Sequence, residues 1–124
     1  MNIINLTPHD IRVRFHDSAI PEAQDGDIVF PSSKISARIE QTSVVSESVN
    51  GIPVMRSVFG AIVGLPDPQP DTIYVVSLPV AQQAAMQGRN DVVSPDTNPK
   101  GGAIRYGEGP LKGQPFAVRG FQMF

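Results

Sequence analysis

The chain has 124 residues, a formal net charge of −2, a charged fraction of 18% and no cysteine. That length sets a single domain, residues 1–124, with a modest core. The charge balance disfavours nucleic acid polymers and anionic membranes as partners. The missing thiols exclude disulfides, a cysteine nucleophile and thiolate metal sites, which suits a reducing cytoplasm.

Met1–Leu6 reads as a strand, without the basic and apolar regions of a signal peptide. Thr7-Pro8-His9-Asp10 is a turn, because the proline fixes φ and Thr7 and Asp10 can bond nearby backbone. Ile11, Val13 and Phe15 then alternate with Arg12, Arg14 and His16, which predicts a strand with one buried face. The two strands flanking the turn are expected to form a hairpin. Ser18–Gly26 is a polar surface loop, and Asp27–Phe30 a short strand stopped by Pro31.

Ile35–Ser48 is rich in β-branched residues and favours strand. Asn50-Gly51 is the strongest hairpin signal in the chain, with Ile52–Phe59 as the return strand and Gly60–Gly64 as a small apolar strand. Leu65–Pro70 carries three prolines and predicts a rigid extended connection. No apolar run approaches the roughly 20 residues of a membrane span.

The segment Asp71–Thr97 has the strongest local signals. Ile73-Tyr74-Val75-Val76 predicts a strand buried on both faces. Ser77 offers an N-cap hydroxyl, Pro79 fits the first turn, and Val80, Ala81, Ala84 and Ala85 fall at helical spacing within Leu78–Gln87. Gly88 is a natural end to that helix. Arg89-Asn90-Asp91 follows as a polar cluster at a chain reversal, then Val92-Val93 as a short strand and Ser94-Pro95-Asp96-Thr97 as its stop. Asn98–Gly102 is a flexible loop, Ala103–Tyr106 a strand, Gly107–Gly113 a turn-rich loop and Pro115–Phe124 a final strand with Phe116 and Val118 inward.

With 11 glycines and 12 prolines punctuating short strands, the predicted class is α+β and predominantly β. The expected architecture is a mainly antiparallel sheet, or a small barrel-like domain, with one or two short helices. The thin core and the apolar C-terminal residues Phe116, Val118, Phe121, Met123 and Phe124 predict a homodimer or higher oligomer.

Chemistry-bearing residues are sparse. His9 and His16 could pair with Asp10 or Asp17 as a base or metal site, but their spacing is no standard ligand spacing and a turn histidine is the better reading. His9 with Asp91 or Asp96 would be the alternative for a small hydrolase. Asp91, Asp96 and Glu108 could form a carboxylate set, yet Ser-Pro-Asp-Thr is made for an Asx-turn. The glycines at 101, 102, 107, 109 and 113 match no phosphate-loop pattern. Thus no catalytic residue, metal site or cofactor is expected, and the chain reads as no enzyme. Arg56, Arg89, Arg105 and Arg119 lie beside apolar residues in or near strands, suited either to ion pairs or to convergence on a phosphate.

Ile3-Ile4-Asn5-Leu6-Thr7-Pro8-His9-Asp10-Ile11 resembles the opening of a group of small phage and prophage proteins. The likeness continues through Asn50–Val54, Phe59-Gly60, Gly64–Pro66, Thr72–Ser77, Arg89–Val93, Pro95–Thr97 and Arg119–Phe121. In size and layout the group is similar to the Thoeris anti-defence sponge family of phages. That resemblance implies a β-sheet protein with short helices that assembles into oligomers in the cytoplasm of the infected bacterial host. It implies sequestration of a small immune-signalling nucleotide, a cyclic ADP-ribose isomer or a cyclic oligonucleotide. Arginines would hold the phosphates, an asparagine would assist, and an aromatic would stack on the base. Arg56, Asn90 and Arg105 stand in suitable order. No Phe or Tyr lies in Leu78–Gly88, so Tyr74, Phe59 or Tyr106 would supply the ring. With Arg89 and Asp91 these residues make the expected ligand set. The alternative is a phage structural or accessory interaction protein without a ligand.

Overall fold

The computed structural model describes the backbone of every residue except Pro99, and the side chains of all but Gln41, Thr42, Ser57, Val58, Phe59 and Pro99. The strands are β1 (Asn2–Asn5), β2 (Ile11–Val13), β3 (Ile28–Phe30), β4 (Arg38–Val49), β5 (Ile52–Val63), β6 (Thr72–Val75), β7 (Val92–Pro95), β8 (Ala103–Arg105), β9 (Pro115–Val118) and β10 (Phe121–Gln122), with one helix, α1 (Leu78–Met86), among the described residues. The class is α+β, predominantly β. Among the described residues the sheets are open and no barrel closes: one sheet has the order β1-β6-β7-β10, a second β3-β2-β9-β8, and β4-β5 stand as a long hairpin.

The first sheet is organised around β6. Tyr74, Val75 and Val76 are all essentially inaccessible to water, as a strand covered on both faces must be. On one face Tyr74 and Val76 pack with Val80, Ala81 and Ala84 of α1 and with Leu6 and Ala37. On the other, Val75 and Val93 pack with Ile11, Val13 and Val118 of the second sheet. Each fully buried valine contributes up to about 1.5–3 kcal/mol. The layers are therefore helix, first sheet, second sheet.

Helix α1 forms where the alanine-rich stripe was predicted, and ends by local chemistry. Gly88, at φ +86°, donates its N–H to Ala85, and Arg89 donates to Ala84, which satisfies the last carbonyls in a Schellman pair. Ser77 occupies the N-cap position, but its hydroxyl makes no capping bond. Asn50 and Gly51, at φ +52° and +78°, make the tight turn between β4 and β5.

Strand pairing differs from expectation in one main respect. The β1 and β2 strands form no hairpin with each other. β1 pairs parallel to β6, β6 pairs parallel to β7, and β2 lies between β3 (antiparallel) and β9 (parallel). The reason is the strand–helix–strand unit β6–α1–β7. A helix of that length returns the chain to the same end of the sheet, so β7 enters parallel to β6. The β1 strand then fills the other side of β6 with the same direction. The predicted C-terminal strand is also two strands: β9 joins the second sheet and β10 pairs antiparallel with β7 of the first. Gly60–Gly64 is mostly the continuation of β5 rather than a separate strand.

The period-two pattern of β2 breaks after Val13. Arg14 is fully buried, whereas Phe15 is 70% exposed. Of the C-terminal apolar residues, Val118 is buried and Phe121 packs on Phe30 with ring centroids 5.8 Å apart, leaving Met123 and Phe124 outside. More apolar surface lies on β4 and β5, whose outer parts stand beyond the core. No helix among the described residues is long and apolar enough to cross a membrane.

Candidate functional site

Three parallel strands end at the same place. The chain leaves β1 at Leu6–Thr7, β6 at Val76–Ser77 and β7 at Asp96–Thr97. Crevices outside the carboxyl ends of parallel strands are where open sheets of this kind take ligands. Here that edge faces β2 and β9 of the second sheet, and between them lies a groove of about 500 Å³. The strand-end side brings Thr7, His9, Asp10, Ser77, Leu78, Pro95 and Thr97. The second sheet and the residue before it bring Ile11, Arg12, Gln114, Phe116 and Val118.

The polar groups are positioned by the turns that carry them. Asn5 is 2% exposed and organises the turn after β1. Its amide donates to the carbonyls of His9 and Phe30 at 2.9 Å each, and its Oδ1 accepts from the Thr7 N–H and hydroxyl. Asp10 Oδ1 accepts from the Ser32 N–H at 2.8 Å. These bonds hold His9 and Asp10 at the groove mouth without occupying the His9 ring. On the opposite wall the Arg12 guanidinium lies over the Phe116 ring, 5.2 Å from its centroid, and touches Asp27 at 3.3 Å through Nη1. Tyr106 meets Phe116 edge-on at 5.6 Å, and the buried Arg14 guanidinium lies 5.8 Å from the same ring.

The eight residues expected to bind a ligand fall into four places, and none of those whose side chains are described lines the groove. Arg56 lies exposed on the outer part of β5; Phe59 belongs to the same strand, and its side chain lies outside the described residues. Tyr74 is buried in β6, with its hydroxyl donating to Asp67 O at 3.3 Å. Arg89 donates to both oxygens of Asp91 at 2.9 Å and to Pro66 O at 2.9 Å, and Asn90 is exposed between them. The Arg89 hydrogen bond pulls the Asp91 carboxyl below its ordinary pKa against the opposing effect of burial, and Asp91 in turn raises Arg89. Arg105 donates to the carbonyls of Gly113 and Thr97, and Tyr106 meets Phe116 edge-on.

The described contacts therefore do not join Arg56, Arg89 and Arg105 into one anion pocket. The physical reason for Arg89-Asn90-Asp91 is direction. A parallel strand–helix–strand unit puts the helix-to-strand loop at the amino ends of the strands, the far end from the groove. Arg119 is likewise structural, donating to the carbonyls of His16, Asp17 and Ser18. Asp96 makes the Asx-turn, its Oδ1 accepting from the Asn98 N–H at 3.0 Å. Asp91 is held by Arg89, and no described contact joins Asp96 to His9. Among the described residues no three His, Asp or Glu side chains gather as a metal site.

The residues missed in the sequence are Thr7, Ser77, Thr97, Arg12 and Phe116. Their signal was available: the first three immediately follow β-rich runs. It needed the pairing to be read as parallel. Compared with protein-family models, curated proteins and solved structures, the chain matches none.

Proposed function

We propose that this chain is a phage-encoded binding protein that sequesters a small nucleotide signal in the groove at the carboxyl ends of β1, β6 and β7. The observation that carries the reading is the Arg12–Phe116 pair on the wall of a groove of about 500 Å³, opposite the strand-end hydroxyls. That volume falls among those of small-molecule sites. A guanidinium suits a phosphate, and one contact to Asp27 leaves most of its donors open. The Phe116 ring offers an apolar surface to a base. The Ser77 and Thr97 hydroxyls and the Asp10 carboxylate offer partners to a sugar. The resemblance of the sequence to anti-defence sponges supports a cyclic ADP-ribose isomer or a cyclic oligonucleotide as the ligand, taken up in the host cytoplasm. Sequestration is stoichiometric and requires no bond to break, so the ligand is returned unchanged.

The test is a thermal-shift screen of the wild type, Arg12→Ala and Phe116→Ala against cyclic ADP-ribose isomers and cyclic dinucleotides. Binding should raise the wild-type Tm. Loss of the Arg12 contact should cost about 1.5–3 kcal/mol of affinity. Ligand released by heat should be chemically intact. A blank screen, or an altered nucleotide, overturns the reading. The exposed outer part of β4 and β5 favours a second reading, an accessory assembly protein without a ligand. That protein would ignore every nucleotide and co-sediment with virion components.

A further inference from the structure

The β4–β5 hairpin has an outer part that the rest of the chain does not cover. Its register pairs Val44 with Arg56, Glu47 with Val54 and Val49 with Ile52, with a shift between Val45 and Glu47. Ser46 is the extra residue there. Between Ile52 and Arg56 strand β5 carries no extra residue and its side chains alternate, so Ile52, Val54 and Arg56 share one face. Their cross-strand partners Val49, Glu47 and Val44 share it too. This face is an apolar stripe bearing one acid and one base. Val44 is 46% exposed, Val49 51%, Ile52 66% and Val54 37%, and both charged residues are exposed. Among the described residues, neither Glu47 nor Arg56 forms an ion pair within the chain.

Two features direct association to the face rather than to the strand edges. The shift between Val45 and Glu47 places its extra residue in β4 and the shift between Ile39 and Gln41 places its extra residue in β5, and bulges twist an edge away from further pairing. β5 carries Pro53, which has no N–H to offer a new strand. An isolated two-stranded ribbon with four exposed aliphatic side chains on one face is also marginal in water.

We propose that this face is a self-association surface whose occupant is a second copy of the same chain, packed about a two-fold axis. A two-fold contact must be self-complementary. One Glu and one Arg on a shared apolar stripe meet that condition, because Glu47 of each copy then stands opposite Arg56 of the other while the valines and Ile52 pack between. A face of uniform charge would repel its own copy, and one without charge would fix no register. The inference is independent of the groove and of whatever it binds.

The experiment is sedimentation velocity on the full chain over a micromolar concentration series. The wild type should show concentration-dependent dimer. Glu47→Arg places two arginines opposite each other and should weaken dimerisation by about tenfold or more. Glu47→Arg combined with Arg56→Glu should restore it. Replacing residues 43–56 by a short Asn-Gly turn should give a monomer that melts cooperatively, which separates loss of interface from loss of fold. A wild type that stays monomeric, a dimer indifferent to Glu47→Arg, or a doubly exchanged variant that fails to recover would each overturn the proposal. Assembly only with a different protein would overturn it as well.

Discussion

Arg14 and Asp27 form a closed, buried pair: Arg14 Nε donates to Asp27 Oδ1 at 2.9 Å and Nη2 donates to Oδ2 at 3.0 Å, with both side chains essentially removed from water. The other Arg14 donors reach the carbonyls of Ser18, Ile20 and Glu22. All five N–H groups of the guanidinium are thus satisfied, and the loop from Asp17 to Asp27 is wrapped around one side chain. Arg14→Met should lower Tm on the order of 10 °C, because it strips a buried carboxylate of its main cation, leaving only Arg12 and the Gln24 N–H, and takes the donor from Glu22 O. Arg14→Met with Asp27→Leu should recover part of that loss, since removing both charges is less costly than stranding one. Thermal melts of the single and double variants check the cycle.

Acid should expose the same pair. The Arg14 hydrogen bond, with smaller help from the Gln24 N–H and from Arg12, holds the Asp27 carboxyl well below the usual carboxylate range. A carboxylate with a depressed native pKa stabilises the fold above its unfolded value, about 3.9, and loses that contribution as pH falls below it. Asp91, lowered by Arg89, acts in the same direction. Tm should therefore hold steady from neutral pH to about pH 5 and drop below about pH 4. Asp27→Asn should start lower and fall less steeply over the acid range. A pH series of melts reads both slopes.

Arg105 should behave as a structural residue. Arg105→Ala removes its bonds to Gly113 O and Thr97 O, at 2.9 and 2.7 Å, each worth about 1 kcal/mol. The expected outcome is a lower Tm with nucleotide affinity near that of the wild type, in contrast to Arg12→Ala. Unchanged Tm with lost binding would put the ligand beside β8 instead.

Gly102 should not tolerate a side chain. A Cβ there would sit 2.6 Å from Asp96 Oδ1, 2.7 Å from Asn98 N and 2.8 Å from Asp96 O. Two of those atoms are backbone, held by the Asx-turn and by the bond from the Gly102 N–H to Asn98 O. Gly102→Ala should cost about 1–3 kcal/mol, the usual range for forced overpacking. Gly107→Ala, where a Cβ meets nothing within 4 Å, is the matched control and should be near neutral. Denaturant unfolding of the two variants makes the comparison.

These residues also show what the sequence could and could not reveal. The turn at Asn50-Gly51, helix α1 and its stop at Gly88 follow from local backbone chemistry, so they were legible. Pairing was not, because a strand's neighbours depend on distant segments. Arg14 was misplaced because an arginine reads as polar whatever its surroundings, and its four partner residues lie in a loop that no periodicity connects to it. Phe15 went with it, exposed where the alternation put it inside. Arg89-Asn90-Asp91 stood out by composition, but composition carries no information about which end of a sheet a loop occupies. Thr7, Ser77 and Thr97 are ordinary in sequence and gain significance only once β1, β6 and β7 are known to run the same way.

The split of the C-terminal segment between the two sheets bears on how the protein comes into being. Strands β9 and β10 are separated by only Arg119 and Gly120, yet one joins β2 and the other joins β7. Arg119 itself reaches back 103 positions to His16. During synthesis, neither sheet can complete its hydrogen bonding until β9 and β10 have left the ribosome. Early strands such as β2 wait with an open edge, and long-range parallel pairing is slow once it begins. A nascent chain of this design completes both sheets in one late step, and chaperone binding to the waiting strands should end when β9 and β10 emerge.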